Sequence, residues 1–103
     1  MFHVISGRVR LRTGDQERLA GPGDTVVAPK GVAHTYRVES PEGARFLTMI
    51  RGTGFETLVR EVARPAVRPG LPDPTPPSPS DLQRLAAIAA RNAIDLVGPP
   101  LPA

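Results

Sequence analysis

The residues best able to do chemistry surround a single histidine, His34, which follows a predicted tight turn. The spacing is Gly23-x5-Pro29-x-Gly31-x2-His34, with Val38 four residues further on. Pro29 cannot donate a hydrogen bond to a strand ladder, and Gly31 can adopt the positive φ of a tight reversal, so a strand–turn–strand unit is predicted. The turn would place His34 at the start of the second strand. Strand alternation then puts its imidazole on the same face as Tyr36 and Val38.

This motif resembles the second conserved motif of the cupin superfamily, in which the histidine is a metal ligand. The family often has Asn where this chain has Val38, a substitution that is common. The resemblance implies that His34 coordinates a divalent transition metal (iron, manganese, nickel, copper or zinc). It also implies a small-molecule ligand, for which Tyr36, Phe2 and Val38 are the predicted contacts. The alternative is a barrel-lining His34 that bonds a neighbour or water, with Tyr36 filling the interior.

The first motif of the same family supplies three more ligands, two from H-x-H and one from E-x6-G. Its glycine matches Gly7, which would place the glutamate one residue before Met1 and the H-x-H pair further upstream. We therefore expect a chain truncated at its N-terminus with an incomplete metal site, since transition metals usually take about three or four protein ligands. His3 is not expected to substitute, because alternation turns it away from the face of Phe2 and Val4.

Short apolar or alternating runs, each bounded by Gly, Pro, Asp or Ser, predict an antiparallel sandwich or barrel. The predicted strands are 2–5, 8–13, 16–20, 25–28, 34–38 and 46–50. With the resemblance, the expected fold is mainly β: an incomplete cupin-type antiparallel barrel or jelly roll with two C-terminal helices. Loss of upstream strands would leave residues 2–5 beside an open sheet edge. We expect either a barrel whose interior is partly open, or a homodimer in which a second copy covers that edge. A shortened gene model is the alternative explanation.

In the second half of the chain the apolar residues change from strand-like to helical spacing, and prolines become frequent. Apolar residues at helical spacing predict a helix over 54–63 that ends before Pro65. Seven prolines within 65–79 predict an extended crossing segment. Ser78 as N-cap and Pro79 at the first helical position predict a second helix.

The predicted division of the chain has three parts. Residues 1–64 form the cupin barrel core with the first helix, 65–79 form the proline-rich crossing segment, and 80–103 form a closing helix and segment packed on the barrel.

Composition excludes several classes of protein. The chain has no cysteine, which excludes disulfides, thiolate metal sites and a cysteine nucleophile. No apolar run could span a membrane and no secretory signal is evident, so a cytoplasmic location is expected. The net charge of +3 is too small to indicate a nucleic-acid partner. Arg8, Arg10 and Arg12 alternate with apolar residues and predict a solvated strand face, with contact to a phosphate or acidic ligand as the alternative.

Two functions remain open. Nearly the whole chain resembles bacterial quercetin dioxygenase-like cupins, which implies a metal-dependent dioxygenase acting on a flavonol-like or other small aromatic or enolic substrate. The second function is a non-catalytic cupin that binds or senses a small molecule, or a half-barrel with structural use only. Three of the family's ligands have no counterpart in this sequence. We therefore favour the non-catalytic cupin as the activity of this chain and the dioxygenase as its ancestry. No catalytic residue is assigned.

Overall fold

The computed structural model describes residues 1–103 and contains six strands and two helices. The strands are β1 (Phe2–Ser6), β2 (Val9–Thr13), β3 (Gln16–Ala20), β4 (Thr25–Val26), β5 (His34–Val38) and β6 (Arg45–Thr48), and the helices are α1 (Gly54–Val62) and α2 (Pro79–Arg91). All strand pairs are antiparallel. The predicted class, mainly β with two C-terminal helices, is confirmed.

The chain forms two compact units. The first contains Met1–Ile50 together with Val97–Ala103, and the second contains Arg51–Leu96. All six strands lie in the first unit and both helices in the second. The first helix is thus grouped with the second helix, whereas the sequence-based division placed it with the strands.

The first unit consists of two three-stranded sheets, one in the order β4-β1-β6 and the other in the order β3-β2-β5. In the first sheet β1 is central, since Phe2 lies opposite Val26 on one side and opposite Thr48 on the other. The expectation that residues 2–5 lie beside an open edge is therefore wrong. Later segments of the chain return to both sides of β1 and satisfy its backbone groups, so β3, β4, β5 and β6 are the edges.

The core of the first unit lies between the two sheets, at alternating positions of their strands. Its buried members are Phe2, Val4, Val9, Leu11, Ala20 and Val26. These residues come from both sheets, so the sheets face one another across the core. Full burial of a Val, Leu or Phe side chain contributes about 1.5–3 kcal/mol, which makes this cluster the main apolar stabilisation of the unit.

Two connections between the sheets meet at Gly7. Its φ is +79°, and a Cβ at this position would lie 2.3 Å from the carbonyl oxygen of Gly43 and 2.7 Å from Oγ of Ser40. The buried Ser40 hydroxyl accepts a hydrogen bond from the N–H of Arg8 at 3.0 Å and donates to the Gly43 carbonyl. These contacts join the β1–β2 connection to the β5–β6 connection.

The outer face of the β3-β2-β5 sheet is partly covered by the C-terminal tail. Arg10 and Arg37, which lie opposite each other on β2 and β5, donate to the carbonyls of Pro102 and Leu101, respectively. Leu101 is buried, and the buried Nε of Arg10 lies 2.9 Å from a Glu39 carboxylate oxygen as an ion pair rather than an aligned hydrogen bond. The expectation of a solvated arginine face is therefore wrong at Arg10, because its guanidinium holds the tail.

In the second unit the predicted start of α2 is confirmed. The Ser78 hydroxyl accepts a hydrogen bond from the N–H of Asp81 at 3.1 Å, and the Asp81 carboxylate accepts one from the N–H of Ser78 at 2.9 Å. Pro79 is the first helical residue. The pKa of Asp81 is lower than its ordinary value. The largest cause is the hydrogen bond from the backbone N–H of Ser78 and the second is the Ser78 hydroxyl, because both favour the charged carboxylate.

Polar contacts at Glu61, near the end of α1, join the two helices. Its backbone carbonyl accepts a hydrogen bond from Arg84, and its carboxylate accepts one from Arg91, both at 2.7 Å. Apolar burial is limited, since Ile88 and Ala89 are the buried residues of α2 and α1 has none. Neither helix has the length and apolar character that crossing a membrane requires.

We expect Gly7→Ala to lower the free energy of unfolding of the first unit by at least about 2 kcal/mol, since a left-handed L-residue alone costs roughly 1–2 kcal/mol. The added Cβ would also overlap the Gly43 carbonyl. Urea denaturation measures the change. Gly21→Ala is the matched control, because nothing lies within 4 Å of a Cβ there. Equal unfolding midpoints for the two variants would contradict the role given to Gly7.

Candidate ligand-binding site

The turn that leads into β5 has the predicted geometry. Gly31 has a φ of +83°, and the N–H of Val32 donates to the Pro29 carbonyl at 3.2 Å. β5 begins at His34, as predicted. The imidazole Nδ1 of His34 lies 3.3 Å from the Val32 carbonyl oxygen, so the turn's own backbone helps to orient the ring.

Cross-strand pairing defines three rows of side chains on the inner face of the β3-β2-β5 sheet. The rows are Ala20–Val9–Val38, Arg18–Leu11–Tyr36 and Gln16–Thr13–His34. Val9 and Leu11 are buried in the core, which shows that these rows face the other sheet. His34, Tyr36 and Val38 therefore share the inner face, as strand alternation predicts.

Four rings meet between the sheets and form the aromatic cluster: Phe2, His34, Tyr36 and Phe46. The ring centroid of Phe2 lies 6.0 Å from that of His34, 6.1 Å from that of Tyr36 and 6.2 Å from that of Phe46. Tyr36 and Phe46 are closest, at 5.2 Å with an interplanar angle of 79°. These tilted and edge-to-face arrangements are favourable. Because Phe2 and Phe46 come from one sheet and His34 and Tyr36 from the other, the cluster bridges both sheets.

The aromatic cluster is open to solvent on one side. Tyr36 is 48% exposed and Val38 is 39% exposed, although both lie on the inner face. β5 and β6, which carry part of the cluster, each have a neighbouring strand on one side only. The interior between the sheets is therefore partly open, and a small molecule could reach Tyr36 without unfolding the core.

An open cleft with a volume of about 310 Å³, termed the inner cleft, lies between the edge strands β3 and β4. It is lined by Leu11, Thr13, Gln16, Arg18, Val26, Val27 and Pro29. The aromatic cluster contributes no lining residue, and the buried Leu11 and Phe2 separate it from the cleft. Such a volume is near the lower end of the range for small-molecule sites, about 300–1,000 Å³.

The donors around His34 do not fit a transition metal. No group of three or more His, Cys, Asp or Glu side chains comes together in the structure. His3 lies opposite Thr25 and Leu47 on the outer face, with its Nδ1 2.8 Å from the Thr25 hydroxyl. A lone imidazole is too small a donor set, since catalytic transition-metal sites use roughly three protein ligands.

Three of the predicted site residues, His34, Tyr36 and Phe2, come together in the aromatic cluster. Val38 lies on the same face, opposite Val9. Sequence reasoning missed Phe46 and Arg18. Arg18 could have been found from the two-residue turn after Thr13, because this turn sets the pairing of β2 with β3. Phe46 reaches the cluster through the long-range pairing of β6 with β1, which leaves no local signal in the sequence.

The fold and this site define a protein with two facing antiparallel sheets and an open, aromatic-lined interior. Residues 1–50 match the family model of the cupin domain. The matched residues are the continuous part of the first unit. Neither the curated proteins nor the solved structures gave a match.

We expect Phe2→Ala to reduce the free energy of unfolding of the first unit by about 3–4 kcal/mol, since it empties the centre of the aromatic cluster. Tyr36 is the only tyrosine and the chain has no tryptophan, so intrinsic fluorescence reports on the cluster during urea denaturation. Phe55→Ala serves as the comparison, because Phe55 is 44% exposed on α1 and its loss should change this transition by less than about 0.5 kcal/mol. A similar loss for both variants would argue against the central role of Phe2.

Proposed function

We propose that the first unit is a non-catalytic cupin domain that binds a small aromatic or enolic molecule. The proposal rests on one observation: Tyr36 faces the interior, packs against Phe2 and Phe46, and is still half exposed. A planar ligand stacked there would remove apolar surface from water at about 25 cal/mol per Å². Phe2 and Val38 would add apolar contacts, and the Tyr36 hydroxyl would supply a hydrogen bond that orients the ligand.

The inner cleft is a second, separate place on the first unit where a small molecule could bind. Its walls combine apolar side chains with polar groups of Thr13, Gln16 and Arg18. Binding sites for small molecules typically have this composition, in which apolar walls supply affinity and few polar groups supply orientation. Because the core cluster is already packed beneath the cleft, little ordering of the protein would accompany binding.

A metal-dependent, dioxygenase-like enzyme is the second candidate function. The cupin match over residues 1–50 and the position of His34 after the Pro29–Gly31 turn favour it. Its cofactor would be a divalent transition metal, with His34 as one ligand. The donors present do not fit such an ion, since the row neighbours of His34 are the hydroxyl of Thr13 and the amide of Gln16. No catalytic step is assigned for this reason.

Metal analysis separates the two candidates. We expect the protein purified in the presence of iron, manganese, nickel, copper or zinc to retain well below one equivalent after dialysis, and His34→Ala to retain the same amount. Thermal unfolding of the wild type should not shift on addition of EDTA, because no bound ion would contribute to stability. One equivalent of any of these metals that is lost in His34→Ala would establish the metal site and overturn our preference.

Binding of a neutral aromatic probe tests the preferred function. 2-Naphthamide, titrated into ¹⁵N-labelled protein, should shift the backbone signals of residues in the aromatic cluster. Tyr36→Ala should weaken the affinity at least about fivefold, because it removes the exposed ring. Leu47→Ala is the matched control, since Leu47 is 53% exposed on the outer face.

The dispersion of the ¹⁵N spectra of both variants checks that they fold, and Val38→Ala gives a second, milder variant if Tyr36→Ala does not. Shifts spread over the outer face, or equal affinities for all of these variants, would rule out the proposed site. So would an absence of shifts at millimolar probe.

A further inference from the structure

The tail that covers the outer face of the β3-β2-β5 sheet is bound there as a peptide with one anchor. The chain around Leu101 forms neither helix nor strand. Leu101 is 4% exposed, whereas the prolines on both sides of it are exposed. The carbonyls of Leu101 and Pro102 accept hydrogen bonds from Arg37 and Arg10, respectively. The guanidinium of Arg10 is itself held in place, because its Nε lies 2.9 Å from a carboxylate oxygen of Glu39.

This arrangement suits a proline-rich ligand. Proline fixes φ, so a segment such as residues 99–102 loses little conformational entropy when it binds. Extended proline-rich chains form no internal hydrogen bonds, which leaves their carbonyls free to accept from a partner. Here two guanidiniums on neighbouring strands donate to two consecutive carbonyls, and the buried leucine fixes the side chain that fits between the prolines. The outer face is therefore a site for a Pro-x-Leu-Pro segment.

The same four-residue pattern occurs a second time in the chain. Residues 69–72 and residues 99–102 both read Pro-x-Leu-Pro. Their leucines differ in exposure, since Leu71 is 92% exposed and Leu101 is buried. Gly70 stands where the tail has a proline, and its φ of +87° differs from that of a proline. Because glycine adopts negative φ equally well, residues 69–72 can take the shape of the bound tail.

We propose that the outer face of the β3-β2-β5 sheet is a recognition site for Pro-x-Leu-Pro segments, and that residues 69–72 of a second copy of this chain are its partner. Residues 99–102 occupy the site within the same chain and act as an intramolecular competitor. A tethered segment has an effective concentration of about 1 mM, so the partner segment binds where the tail has been released. The aromatic cluster takes no part, and the inference is therefore independent of the proposed function.

Titration of a free peptide tests the recognition site. The probe is the capped peptide of residues 66–75, added to ¹⁵N-labelled full-length Leu101→Ser, in which loss of the buried anchor releases the tail. We expect shifts at Arg10 and Arg37, and an affinity at least about tenfold higher than for the wild type, whose own tail competes. The same peptide carrying Leu71→Ser should bind neither protein. The ¹⁵N spectrum shows whether Leu101→Ser folds, and Leu101→Ala is the milder variant if it does not.

Arg37→Gln and Arg12→Gln, each made in Leu101→Ser, are a matched pair of variants. Both remove one charge from the outer face, but Arg37 donates to the bound segment, whereas Arg12 lies in the row of Glu17 and Thr35. Arg37→Gln should weaken binding of the peptide about fivefold, because a hydrogen bond from a charged donor is lost, and Arg12→Gln should leave it unchanged.

Sedimentation velocity tests the partner. Leu101→Ser should contain a larger fraction of dimer than the wild type at equal concentration, because its outer face is free. Adding Leu71→Ser should return the dimer fraction to that of the wild type. Val67→Ser is the matched control, since Val67 is 98% exposed but lies outside the Pro-x-Leu-Pro segment, and it should leave the dimer in place.

The recognition site is overturned if both peptides bind equally, if the shifts lie away from Arg10 and Arg37, or if no shifts appear at millimolar peptide. If the peptide binds at these residues but Leu101→Ser does not associate, or associates equally well with Leu71→Ser, the second copy is not the partner.

Discussion

The candidate site depends on the pairing of β2 with its two neighbours. Five consecutive residue pairs join β2 to β3 and five join it to β5, so the strand is held along its whole length on both sides. A slip of one residue in either pairing would turn Arg18 or Tyr36 to the outer face and bring Leu19 or Arg37 inward. For β5, the burial of Val9 and Leu11 on β2 opposes such a slip, because it would place the charged Arg37 on the face that these apolar side chains occupy.

Much of this local geometry is readable from the sequence. The extents of β3 and β5 were predicted to the residue, because turn residues bound both strands sharply. The two-residue turn Gly14–Asp15 forces Thr13 to pair with Gln16, and counting back places Leu11 opposite Arg18. Gly14 has a φ of +58°, which a tight hairpin turn requires. The start of α2 was equally predictable, since Ser78 and Asp81 satisfy each other's backbone N–H groups within one turn.

Non-local pairing could not be predicted in the same way. β1 pairs with β6, more than 40 residues later, and this partner turns an expected edge into a central strand. The same pairing brings Phe46 into the aromatic cluster. Alternation in β2 showed correctly that Arg10 faces away from the core, but the chain's last residues return to cover that guanidinium. Local patterns determine which face a residue occupies, whereas the covering of that face depends on distant parts of the chain.

His34 shows why a turn motif predicts geometry better than it predicts activity. The Pro29–Gly31 reversal places its imidazole on the inner face wherever a strand follows, whatever lies opposite. The chemistry then depends on the facing rows, and here these rows offer rings, a hydroxyl, an amide and one guanidinium. Metal catalysis needs several converging ligands, and these groups are poor ligands for a transition metal. The partly exposed rings instead favour a planar apolar molecule, because stacking on Tyr36 removes apolar surface of both partners from water.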